Sequence, residues 1–148
     1  MRKLKIALML TVGVLSSMTY AQKSKIMTKT ETVRTFLNGF NDTAAIQQSM
    51  ELLADDYKFS NPMVELNSKS DFIELAQQIG QVLTGVEVLE VAENGDWVAA
   101  LYIFKSEMPG LEQNIATEWF KIEKGKIVAS KLIYDATKWR ALYENSEN

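Results

Sequence analysis

The chain has 148 residues, a length for one domain, with 16 basic and 19 acidic residues and a formal charge of −3. It contains no histidine and no cysteine, which excludes a Ser-His-Asp triad, imidazole or thiolate zinc ligation, thiol nucleophiles and disulfides. An acidic chain with scattered lysines and no basic stripe repels phosphate backbones, so no nucleic-acid partner is expected.

Arg2, Lys3 and Lys5 form a basic opening, and Ile6 to Leu15 is an apolar run broken only by Thr11 and Gly13. The small residues Ser16, Ser17, Thr19 and Ala21 follow, the pattern of a signal peptide over residues 1–21 with cleavage after Ala21. The run is too short to span a bilayer, which takes about 20 apolar residues. Processing would remove three basic residues and no acidic one, taking the formal charge from −3 to −6. With no cysteine to carry a lipid, the mature chain is expected to be exported, periplasmic or extracellular, not lipid-anchored and not inserted in a membrane. Residues 22–30 read as a flexible lead-in to a domain over 31–148.

Thr28 and Glu31 fit a capping box, and Val33, Phe36, Leu37 and Phe40 recur on one helical face. Gly39, Asn41 and Asp42 close that helix and open a second, which carries Ile46, Met50 and Leu53 and ends near Asp55-Asp56. Tyr57, Phe59 and Asn61-Pro62 read as extended, because the residue before a proline is pushed toward β. Ser68 or Ser70 caps a third helix with a face of Phe72, Leu75, Ala76, Ile79 and Leu83, ended by Gly85. From Val86 the period changes from 3.6 to 2. Asn94-Gly95 and Lys124-Gly125-Lys126 are hairpin signals between strands that start at Val86, Trp97, Asn114 and Ile127. Asp135 caps a last short helix holding Trp139, Leu142 and Tyr143. Helices first and strands after predict an α+β fold, helices packed on one face of an antiparallel sheet.

Three local patterns carry a resemblance: the stretch from Phe36 through Asn38-Gly39-Phe40-Asn41-Asp42 to Asn61-Pro62, the run Thr117-Glu118-Trp119-Phe120-Lys121-Ile122 before Gly125, and the closing Tyr134-Asp135. In this order and spacing the chain resembles the nuclear transport factor 2-like superfamily, which includes SnoaL-like polyketide cyclases and ketosteroid isomerases. The resemblance implies a curved sheet wrapped around N-terminal helices as a cone-shaped barrel, a hydrophobic pocket for a small apolar or polycyclic molecule, and a homodimer through the open sheet face. The three acid–base positions of the ketosteroid isomerase pattern fall on Phe36, Asn61 and Glu118, and only Glu118 keeps a carboxyl group. Phenylalanine cannot donate a hydrogen bond, and asparagine is no base near neutral pH. The histidines of the scytalone dehydratase type are absent too.

The residues themselves single out Glu118, which shares a strand face with Ala116, Phe120 and Ile122; burial there would raise its pKa and make it a candidate catalytic acid or base. Phe36, Tyr57, Phe59, Asn61, Tyr102, Phe104, Phe120 and Tyr134 are the candidate pocket wall. Asp55-Asp56 reads as solvated rather than metal-binding, and neither metal nor cofactor is expected. Asp135 reads as a helix cap, since it points away from the Ser130, Leu132 and Tyr134 face. The function expected is a non-catalytic small-molecule binder. A cyclase or isomerase using Glu118 and a dimeric interaction module are the alternatives.

Overall fold

A computed structural model describes residues 26–146. The expected signal peptide and most of the lead-in lie outside the described residues. Lys29 and Thr30, read from the sequence as the end of the lead-in, are already helical. Thr28 closes the capping box with Glu31, and helix α1 runs Lys29–Asn38 with Val33, Phe36 and Leu37 buried. It ends where Gly39 crosses the second helix. A Cβ on Gly39 would stand 1.7 Å from Ser49 Oγ, so no side chain fits. A 3-10 turn, Gly39–Asn41, leads to the short α2, Ile46–Met50.

The second helix is shorter than the sequence predicts. Leu53 opens strand β1, Leu53–Ser60, and Asp55 and Asp56 are exposed strand residues rather than a helix end. Strand β2, Glu65–Leu66, folds back on β1 through a turn built by Asn61, whose Oδ1 accepts the N–H groups of Met63 and Val64 at 2.7 and 2.8 Å. Ser68 caps α3, Lys69–Ile79, which stops at Gly80. Leu83 and Gly85, read from the sequence as the helix end, instead open strand β3, Leu83–Asn94.

Strands β4 (Trp97–Ser106), β5 (Gln113–Glu123) and β6 (Lys126–Tyr134) complete a sheet in the order β2-β1-β6-β5-β4-β3. The β3–β4 turn has Gly95 at φ 61°, one residue later than the Asn-Gly signal places its centre; Asn94 still pairs with Trp97. Lys124 and Gly125 both have positive φ, the left-handed pair that a two-residue turn of this hand needs.

The fold is α+β as expected, with a curved sheet that does not close. Pairing is antiparallel except between β1 and β6, which run parallel. Curvature comes with irregular register. Leu89 is an extra residue between the pairs Val88↔Tyr102 and Glu90↔Leu101, so Val91, not Glu90, continues the inner face of Val86 and Val88. Asn41 guards the β3 edge. Its amide donates to Val86 O and its Oδ1 accepts Val86 N–H, as a neighbouring strand would.

Helix α1 packs on β3 and β4, and α3 on β1. Their apolar faces meet the inner face of the sheet in one core, where Phe36 stacks edge-on against Phe40 and Phe120 at 5.6 and 5.8 Å. Truncating a buried phenylalanine such as Phe36 to alanine costs about 3–5 kcal/mol. Helix α4, Thr137–Ser146, is capped by Asp135, whose Oδ1 accepts Thr137 N–H at 3.0 Å. Arg140 bonds Pro62 O at 3.0 Å and so holds α4 beside the β1–β2 turn.

Candidate functional site

The alternation of β5 puts Ala116, Glu118, Phe120 and Ile122 on the inner face, and all four are buried. Glu118 is 3% exposed. Its sheet neighbours are Ala100 on β4 and Leu132 on β6, so the carboxyl leaves the sheet among apolar groups. Two hydroxyls reach it. Tyr102 OH donates to Oε2 at 2.7 Å and Ser130 Oγ donates to Oε1. Ser130 Oγ is also 2.6 Å from Tyr57 OH; with its own hydrogen given to Glu118, it accepts that of the tyrosine.

Burial pushes the Glu118 pKa up to about 7, against the pull of its two hydroxyl donors, which favour the charged form. Tyr57 and Tyr102 are raised well above the ordinary phenol range, first by burial and then by the nearby carboxylate. The hydrogen count sharpens this. When Glu118 is ionised, three hydroxyl hydrogens fill the three links Tyr57–Ser130, Ser130–Glu118 and Glu118–Tyr102. Protonation adds a fourth hydrogen to a cluster with only three contacts, so one hydrogen is left over within it.

Two chambers meet at this point. The inner one, of about 50 Å³, is lined by Glu118 and Tyr102 with Phe36, Phe59, Phe72 and other apolar groups. The outer one, of about 230 Å³, is lined by Asn61, Met63, Val64, Gln78, Tyr134, Trp139 and Tyr143. Leu75, Ile79, Leu83, Phe104 and Leu132 belong to both walls, so the chambers are neighbours that share these side chains. Among the described residues that line either wall, Glu118 is the one carboxylate, lysine or arginine. A wider groove between α2 and α3, about 750 Å³, has a rim of exposed polar residues and no buried titratable group.

Of the residues expected at the pocket, Phe36, Phe59, Tyr102 and Phe104 line the inner chamber, with Glu118. Phe104 also lines the outer one, where Asn61 and Tyr134 stand. Tyr57 and Phe120 do not reach either wall. Tyr57 is fully buried beneath Phe72, 5.2 Å between rings, and serves the cavity only through Ser130. Phe120 is fully buried against Phe36. Asn61 spends its carbonyl oxygen on the β1–β2 turn and keeps only its amide hydrogens to offer.

Sequence reasoning missed the α3 contribution, Leu75 and Ile79, and the α4 contribution, Trp139 and Tyr143, as walls. Both sets were legible as apolar helix faces, but a helix face alone does not say whether it meets a core or a cavity. Among the described residues no group of three or more acidic side chains is placed to hold a metal ion.

The SnoaL-like domain family matches residues 33–130. No curated protein sequence matches the chain. A nuclear transport factor 2-like protein of unknown function from Cytophaga hutchinsonii superposes with a TM-score of 0.66 at 20% identity, over 82% of this chain and 98% of that one. IdmH of Streptomyces antibioticus, described as a candidate polyketide cyclase, gives 0.61 at 16% identity over 76% and 96%. A candidate ketosteroid isomerase from Kribbella flavida gives 0.61 at 15% over 71% and 76%. Identities this low establish the shared fold.

Proposed function

The chain belongs to the SnoaL-like domain family, and from that premise we propose that it is an exported, non-catalytic binder of a small, neutral, largely apolar molecule. The observation that carries the reading is a pair of neighbouring, largely apolar chambers whose described lining has one carboxyl, Glu118, in the inner one and no second carboxyl, lysine or arginine. An uncharged body desolvates cheaply against Leu75, Ile79, Leu83 and Leu132. Its polar tip meets Glu118 and Tyr102. Near neutral pH the carboxyl can be ionised and accept from a ligand hydroxyl, or be neutral and present its extra hydrogen to a ligand carbonyl. Phe36 cannot donate and Asn61 is committed to its turn, which argues against a ketosteroid isomerase relay.

Native mass spectrometry of residues 22–148 purified from the native host tests this. A neutral small molecule, released on denaturation, is the expected result. A cyclase or isomerase is the second reading, favoured by a carboxyl whose pKa sits near 7, where proton transfer both ways is easy. Empty protein that turns over an enolisable ketone, about a hundredfold slower after Glu118→Gln, would replace binding with catalysis.

The outer face of the sheet supports a partner proposal of its own. Trp97, Leu101, Ile115, Trp119 and Ile133 stand exposed on it, Ile115 at 61% and Ile133 at 48%. Register puts Leu101 and Ile133 on either side of Thr117, and Ile115 beside Ile103, so they form a continuous apolar patch. A homodimer through this face is the proposed assembly.

A further inference from the structure

Tyr57 lines neither chamber, yet its hydroxyl is tied through Ser130 to Glu118. Phenylalanine would fill a core position beneath Phe72 without burying a hydroxyl, so packing alone does not call for a tyrosine there. Its oxygen lies 2.6 Å from Ser130 Oγ. The serine has a single hydrogen, and the Glu118 carboxylate is the stronger acceptor for it. Tyr57 therefore donates, and the hydrogens run one way, from Tyr57 through Ser130 to the carboxyl.

Two effects of this order favour the charged carboxyl. A hydroxyl that accepts one hydrogen bond donates a stronger one, by roughly 10–30%. The lone pair that Tyr57 occupies on Ser130 Oγ is also lost to the hydrogen of a neutral Glu118. The surroundings offer no charge to do the same work. Tyr102 on β4 donates to the carboxyl directly, and Tyr134 on β6 acts on Tyr102. Burial keeps Tyr57 and Tyr102 neutral. Helices α1 and α3 bring Phe36, Leu37, Phe72 and Leu75 to the inner chamber, β3 brings Val86 and β6 brings Leu132, none of them titratable.

We infer that Tyr57 is a positioning residue for the site: by donating to Ser130 it commits the serine's hydrogen to Glu118 and tilts that carboxyl toward its charged, accepting form. As a role in the site this rests on the binding reading. Its test needs no ligand, so the two can fail separately.

Carbon-13 NMR of the glutamate carboxyls reads the titration, with the Glu118 signal assigned by its loss in Glu118→Gln. In Tyr57→Phe the Glu118 midpoint is expected to rise by about half a pH unit. In Ser130→Ala it is expected to rise by about one to two units, the worth of a hydrogen bond to a charged group. Adding Tyr57→Phe to Ser130→Ala is expected to give no further rise, because the link is already gone. A merely loosened core has the opposite sign, since water reaching the carboxyl lowers its midpoint. An unchanged or lowered midpoint in Tyr57→Phe would overturn the inference, and so would an equal rise with and without Ser130. Where Tyr57→Phe does not fold, a single 3-fluorotyrosine in place of Tyr57 decides. This more acidic phenol of nearly the same size is expected to lower the midpoint, and a midpoint unchanged or raised would overturn the inference.

Discussion

At the scale of single residues, Glu118 makes the stability of the protein a function of pH. Its folded-state pKa of about 7 lies above the ordinary 4.5, so the folded chain holds a proton that the unfolded chain has already released. Stability from this group is therefore fully present below about pH 4.5 and is lost as pH rises through about 7. The full swing is about 3 kcal/mol. Urea unfolding at pH 5 and pH 8 is expected to show this loss in the wild type and not in Glu118→Gln, which keeps a similar shape and no charge. Equal pH dependence in the two proteins would place the carboxyl in water. The burial of Glu118 was legible from the alternation Ala116, Glu118, Phe120, Ile122. Its partners were not. Tyr57 and Ser130 are 73 residues apart, and no local pattern announces a hydrogen bond across such a span.

At the scale of elements, one crossing holds the helical layer together. Gly39 lets α1 press against α2 so closely that Ser49 Oγ bonds Thr35 O and Ala45 O. Gly39→Ala would set a methyl group against Ser49 Oγ and Cβ, 1.7 and 2.5 Å away. Thermal or urea unfolding is expected to show a loss of about 2–3 kcal/mol, partly restored by Ser49→Gly. A neutral outcome would mean that the crossing opens freely. Period and capping gave α1, α3 and the four long strands. They failed where a short apolar run fits either period, as at Leu53, which helix spacing claims and the sheet takes. Tertiary pairing with Ile127 decides that contest, since a five-residue helix gains too little to hold the segment alone. The bulge at Leu89 was equally invisible, because Val88, Leu89, Glu90 and Val91 fit two registers until β4 fixes one.

At the scale of the whole molecule, the sheet divides two kinds of apolar surface, one wrapped around the cavity and one facing out. If the outer patch joins two copies, Trp119→Lys, at a position 43% exposed, is expected to convert a dimer into a folded monomer in analytical ultracentrifugation. A wild-type monomer at high concentration would remove that assembly. The α+β class could be read from the order of elements and the curved sheet was implied by the family resemblance, whereas the parallel contact of β1 with β6 could be read from neither. That contact has a consequence in time. As the chain leaves the ribosome, β1 is finished while its partner strand is still some seventy residues away, so the most distant pairing of the fold must close late. Until β6 arrives, Ser130 cannot bridge Tyr57 to Glu118, and the carboxyl remains in water with ordinary acidity. A chain stalled before Lys126 thus lacks β6 and α4, and with them Ser130, the link from Tyr57 to the Glu118 carboxyl.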